Sequence, residues 1–102
     1  MLVAVFRSRL RPNLGDDYLA CNERMREIAT SLPGFISVKG FVATDGERVS
    51  VHEWESPEQF RAWVEHPEHL EAKQRGRLDY YENYTCYICE KPRVYGFERG
   101  AG

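Results

Sequence analysis

Apolar and polar residues alternate from Leu2 to Leu10, so the chain opens on a strand. Leu2, Ala4, Phe6, Ser8 and Leu10 share one face, and Val3, Val5, Arg7 and Arg9 the other. The period then lengthens. Tyr18, Cys21, Met25, Ile28, Ala29 and Leu32 recur at steps of three and four, which predicts an amphipathic helix over 16–32. Asp16 and Asp17 suit the positive end of its dipole, and Pro33-Gly34 ends it. Alternation returns over 35–43 and 48–54, around a strong hairpin signal at Asp45-Gly46. A two-residue turn there sets Val42 against Val49, Gly40 against Val51 and Val38 against Glu53, on a side expected to face helices. The other side then pairs Phe41 with Ser50, Lys39 with His52 and Ser37 with Trp54.

A second helical stretch starts at Ser56, a good N-cap, with Pro57 at the first position and Gln59 completing a capping box. Phe60, Trp63 and Val64 form its apolar stripe, Pro67 breaks and restarts it, and it runs to about Tyr80. A last strand is predicted over 84–90. The order βαββαβ implies an α+β, ferredoxin-like domain: an antiparallel sheet with its helices on one face. The bare face is expected to carry Phe35, Phe41 and Trp54, too apolar a patch to leave wet, which predicts a twofold homodimer. One domain over 1–102 is expected, with an ordered core over about 2–97 and a frayed end over 98–102. With Val94, Tyr95 and Phe97, the first half of the tail over 91–102 is expected to pack somewhere.

Composition narrows the partners. At 102 residues the core is modest, so association would help it. The net charge of −2 is small and both signs are mixed, with no basic block, which argues against nucleic acid and anionic membranes. No apolar run approaches the roughly 20 residues that span a bilayer. The first residues read as a strand rather than a leader, and a cytoplasmic location is expected. Three cysteines suit a reducing compartment. Cys86-Tyr-Ile-Cys89 has redox spacing, but in a strand its two thiols point to opposite faces.

Some residues carry candidate chemistry. His69, Ala72 and Gly76 share a helix face, and an imidazole beside two small residues leaves room for a ligand or for a close helix–sheet contact. Glu53, the one carboxylate on the expected helix-facing side of the hairpin, can orient His69 or instead pair with Arg75 or Arg77. Trp63 suits either a core or an aromatic platform. His52 is expected in the dimer interface and His66 as the cap of the second half-helix. Tyr80, Tyr81 and Tyr84 cluster before the last strand.

Pro33-Gly-Phe35, Asp45-Gly-Glu-Arg-Val49, Ala62-Trp63, His66-Pro-Glu-His69, Gly76-Arg77 and Tyr81-x-x-Tyr84, in this order and spacing, resemble the antibiotic biosynthesis monooxygenase family over 2–97. The resemblance implies a dimeric α+β barrel with a pocket between helices and sheet. It also implies a cofactor-independent monooxygenase acting on a phenolic or polycyclic aromatic small molecule with O2. In that reading His69 and Glu53 are the catalytic pair, and Trp63, Phe6, Ser8, Tyr80 and Tyr84 bind substrate. No metal, flavin, nicotinamide or haem is expected, since the chain has no dinucleotide or Walker loop. The haem-degrading branch of the same family is an alternative. It matches at Trp63, but Ser8 stands for its strand-one Asn and Lys73 for its iron-ligating His. The third alternative is a non-catalytic small-molecule-binding module, because fold does not imply function.

Overall fold

A computed structural model describes residues 1–100; Ala101 and Gly102, the end of the segment expected to fray, lie outside the described residues. The elements are β1 (Leu2–Leu10), α1 (Asp16–Ser31), β2 (Phe35–Val42), β3 (Arg48–Trp54), α2 (Pro57–Val64), α3 (Pro67–Arg75) and β4 (Tyr81–Cys89). A π-helical turn over Gly76–Tyr80 links α3 to β4. The strands form one antiparallel sheet in the order β2-β3-β1-β4, with the ferredoxin-like chain order. β4 starts three residues earlier than the sequence pattern predicts, because Tyr81 pairs with Leu10 across a bulge.

Local chemistry sets the helix ends. Ser56 Oγ accepts from the Gln59 N–H at 3.3 Å and donates to Gln59 Oε1 at 2.9 Å. His66 Nδ1 accepts from the Glu68 N–H at 3.1 Å, so His66 does cap the second half-helix. Gly34 closes the turn after α1 at φ 87°, and the Gln59 side chain fills the space where its Cβ would stand.

The hairpin departs from expectation by one residue. The Gly46 N–H donates to the Ala43 carbonyl at 2.9 Å, and Gly46 takes φ 91°. The loop is therefore three residues long, closed by Ala43 and Glu47, with glycine in the left-handed position. Val42 then pairs with Arg48, Gly40 with Ser50 and Val38 with His52. A one-residue slip exchanges the faces of the whole strand. Trp54, His52, Ser50 and Arg48 point to the helices, beside Leu2, Ala4, Phe6 and Ser8 of β1. Glu53, Val51 and Val49 point away.

This corrects the expected bare face. Trp54 is fully buried, and Phe35 packs edge-on against it at 5.5 Å between centroids. Both belong to the core with Leu2, Ala4, Ile28, Ala29 and Trp63. Of the three residues expected outside, only Phe41 is there. The uncovered face nonetheless carries an apolar patch: Val3, Val5, Val49, Val51 and Phe41 lie on it, paired across β1, β2 and β3, beside Arg7, Lys39 and Glu53. The expected packing of the tail is also corrected, since Val94, Tyr95 and Phe97 are exposed.

Candidate functional site

The covered face of the sheet is mainly apolar, with Leu2, Ala4, Phe6 and Trp54, but polar side chains are set among them. His52 and Ser50 on β3 and Ser8 on β1 lie beneath the helices, where strands ordinarily present aliphatic side chains. His52 is the residue that the sequence reading put on the wrong side. It is flanked by Ala4 and Val38 across the sheet. Its Nδ1 is buried and has no hydrogen-bond partner among the described residues, and neither does Trp54 Nε1 two residues on along the same face. Burial, reinforced by the charges of His69 and Arg26, pushes the His52 pKa down to about 4. The ring is neutral at pH 7.

His69 reaches the same region from α3. Its ring stacks on Trp63 at 4.0 Å between centroids and 25° between planes. Its Nδ1 lies 3.2 Å from the Val64 carbonyl. A carbonyl can only accept, so Nδ1 carries the proton and Nε2 is left as the bare, basic nitrogen. Burial lowers the His69 pKa, the Val64 carbonyl partly offsets this, and the Lys73 and His66 charges lower it further. The site thus combines two neutral imidazoles, an indole face and two flanking cations, Arg26 and Lys73.

Glu53 is not part of it. It lies on the opposite face of the sheet, where Ser37 Oγ donates to its carboxylate at 2.5 Å. The expected pairing of Glu53 with His69, and its alternative with Arg75 or Arg77, are both corrected by the hairpin register. Nor do Ala72 and Gly76 leave a shared void beside His69. A Cβ on Gly76 would stand 2.7 Å from a ring carbon of Tyr81, so that ring already fills the space. Ala72 instead lines a cleft of about 330 Å³ between α1 and α3, with Cys21 and Met25 along it. Two ion pairs rim this cleft. Arg24 grips Glu68 through two contacts at 2.8 and 2.9 Å, and Arg75 meets Asp17 at 3.1 Å.

The remaining expected substrate residues form a second, aromatic group further along β1. Phe6 lies between Tyr84, at 5.3 Å, and Tyr81, at 5.6 Å. Ser8 is buried and registers with Tyr84 on β4. Tyr84 accepts a hydrogen bond from Arg77 Nε at 2.7 Å. Tyr80 is a packing residue in this structure: it is buried edge-on against Tyr18, and its hydroxyl donates to Asp17 at 3.2 Å. Burial pushes the Tyr81 pKa up to about 12, so its hydroxyl is protonated at neutral pH. From Ala4, beside His52, to Ser8 is four residues of strand, or about 13 Å. Phe6 bridges the two groups.

The thiols of the C-x-x-C segment diverge, with Cys86 registering with Phe6 on the covered face and Cys89 with Val3 on the open one. No helix is long and apolar enough to cross a membrane among the described residues.

The sequence profile described as antibiotic biosynthesis monooxygenase matches residues 1–75. The uncharacterized protein YqjZ of Bacillus subtilis (strain 168) is 32% identical over 90 residues, which cover 88% of this chain and 79% of that protein. Two solved structures share the fold. Rv0793 from Mycobacterium tuberculosis superposes with a TM-score of 0.78 at 14% identity, over 93% of this chain and 98% of that one. SnoaB, a cofactor-independent oxygenase from Streptomyces nogalater, gives 0.73 at 15% identity, over 91% and 94%. At such identities the likeness is one of fold.

Proposed function

This chain belongs to the antibiotic biosynthesis monooxygenase family, and from that premise we propose that it is a cytoplasmic, homodimeric, cofactor-independent monooxygenase acting on a phenolic polycyclic aromatic. The observation that carries the reading is a cluster of buried polar groups set in the otherwise apolar covered face. The face under the helices bears His52, Ser50 and Ser8 among Leu2, Ala4, Phe6 and Trp54, while the bare face bears a patch of Val3, Val5, Val49 and Val51 beside Arg7, Lys39 and Glu53. Buried polar atoms without partners, His52 Nδ1 and Trp54 Nε1, suit a ligand, and an exposed valine patch suits a second copy.

The chemistry follows from the groups beneath α3. A phenol must lose its proton before it is electron-rich enough to reduce O2. His69 Nε2 is the base, with its tautomer set by the Val64 carbonyl. Lys73 and Arg26 favour the resulting oxyanion. Trp63 backs the imidazole, and Phe6 with Tyr84 offers ring faces further along the strip. The spacing along β1 suits a fused tricyclic. One oxygen atom becomes a ring carbonyl, replacing the phenolic O–H and a ring C–H hydrogen. The other leaves with those two hydrogens as water, so the substrate supplies all the electrons. His69 takes the phenol proton and returns it to the departing oxygen.

The test is oxygen uptake with a panel of hydroxylated naphthalenes and anthracenes, with products checked for the gain of one oxygen and loss of two hydrogens. His69→Ala should lower turnover by roughly 10²–10⁴-fold, the usual range for a general base. Binding of aromatics without any oxygen uptake would return the chain to the binding-module reading. A Soret band retained after gel filtration with haem would replace the proposal with haem chemistry.

A further inference from the structure

α3 lies over the covered face and is held there by little. Its His69 acts on His52 of β3 and its Lys73 on Cys86 of β4. Yet no residue of Pro67–Arg75 is buried. Glu68, His69 and Ala72 are half-buried, and Leu70 is 50% exposed. The buried anchors stand on either side of the helix, Trp63 before it and Gly76 and Tyr80 after it. Two ion pairs join α3 to α1. Arg24 grips Glu68 with both arms of its guanidinium, and Arg75 meets Asp17. The helices run antiparallel, so the pairs close both ends of a strip two turns, or about 10 Å, long. Between the pairs the helices do not interdigitate: the cleft lined by Ala20, Cys21, Met25 and Ala72 separates them. All four charged side chains are 44–59% exposed, so the pairs are weak and open to screening by salt.

The backbone has a joint at each end of α3. His66 is extended, at φ −58° and ψ 131°, between two helices that Pro67 keeps apart. The π-helical turn over Gly76–Tyr80 follows the last residue. We propose that α3 is a gate: it swings outward as a unit on these two joints, with Arg24–Glu68 and Asp17–Arg75 as its latches, and so uncovers His52. The inference rests on the aromatic site proposed above, whose ligand enters when the gate is open. Few buried apolar contacts are lost, so opening needs no unfolding of α1 or the sheet. Closure also completes the base. His69 rides on α3, whereas Trp63 and the Val64 carbonyl stay with α2. Only the closed gate stacks the imidazole on the indole and fixes the proton on Nδ1, which leaves Nε2 bare once the ligand is inside.

The test reads opening without a ligand, in the full chain. Amide exchange over 70–76 reports the gate, and carbethoxylation of His52 by diethyl pyrocarbonate, read by mass spectrometry, reports access beneath it. α3 should exchange faster than α1. Arg24→Ala with Arg75→Ala should raise both rates by roughly two- to thirtyfold, the range for two exposed ion pairs, with exchange at Ile28 and Ala29 unchanged. Neither arginine is buried, so the fold is retained. Salt at about 1 M, where the screening length is about 3 Å, should act alike on the unsubstituted chain and add nothing to the double variant. α3 exchange in step with α1, or rates unmoved by both the variant and salt, overturns the gate. Faster α3 exchange with His52 no more reactive shows fraying that stops short of the site and overturns it too. With both rates raised, failure of every hydroxylated naphthalene and anthracene to bind removes the function proposed above and leaves the gate.

Discussion

Protonation of His52 should destabilise the fold, and the size of the effect follows from where the hairpin register puts that ring. Beneath the helices its pKa falls from 6.5 to about 4, chiefly by burial. The unfolded chain takes up the proton near pH 6.5 and the folded chain only near pH 4. Between those values the unfolded state is the more protonated, so stability falls as pH falls. The contribution is fully present above pH 6.5 and lost by about pH 4. At about 1.4 kcal/mol per pH unit, it amounts to about 3 kcal/mol, a large share of the stability of a small domain. The assay is urea unfolding at pH 7.5 and pH 4, at fixed protein concentration, for the unsubstituted chain and His52→Gln. Carboxylates titrate alike in both, so the difference isolates the imidazole. The unsubstituted chain should lose about 3 kcal/mol more than the variant on acidification. NMR titration of His52 in the unsubstituted chain gives the same answer without a substitution. A His52 pKa near 6.5, with parallel pH profiles for the two chains, would refute the burial and the register with it.

Val5→Asp puts a carboxylate at the middle of the open face, between Val51 and Tyr87. An unpaired charge buried between two copies costs several kcal/mol, so light scattering should show association weakened about 10³-fold or more, with the circular dichroism spectrum kept. Gly76→Ala drives a methyl onto the Tyr81 ring, which Phe6 and Tyr84 hold in place. It should cost about 1–3 kcal/mol and lower the melting temperature, whereas a rise in melting temperature would mean that the ring lies elsewhere. Because the His69 pKa is lowered, turnover on a phenol should hold as pH falls through the ordinary histidine range near ~6.5 and fail only below it. A profile that fails above that range would point to another base.

The elements were legible because their signals are local. Ser56, Pro57 and Gln59 announce α2, and Pro67 announces α3, whatever surrounds them. The register was not legible in the same way. Asp45-Gly46 serves a two-residue turn and a three-residue turn alike, and both faces of β3 carry large side chains, so hydrophobicity could not choose between them. That single ambiguity moved Glu53 into the site and His52 out of it. One signal pointed the other way: Trp54, the largest side chain on β3, had to be buried, and its alternation takes His52 in with it. The Gly76 face was ambiguous for a related reason. A small residue on a helix shows that something approaches closely, and only the fold shows that it is the Tyr81 ring. His69 and Trp63 were reachable from the sequence because stacking across six residues of a broken helix is nearly local. The tail was misjudged because apolar residues ordinarily signal burial, whereas Val94, Tyr95 and Phe97 are exposed.

The central claim is that the covered face of the sheet, at His52 and His69, receives an aromatic phenol. The chain has only three histidines, so imidazole ¹H–¹⁵N NMR during titration with a hydroxylated anthracene tests it directly. The account predicts saturable shifts of the His52 and His69 ring nitrogens, with His66, held as a helix cap by its bond to the Glu68 N–H, changing least. Saturable binding that leaves the His52 and His69 resonances unmoved would contradict it.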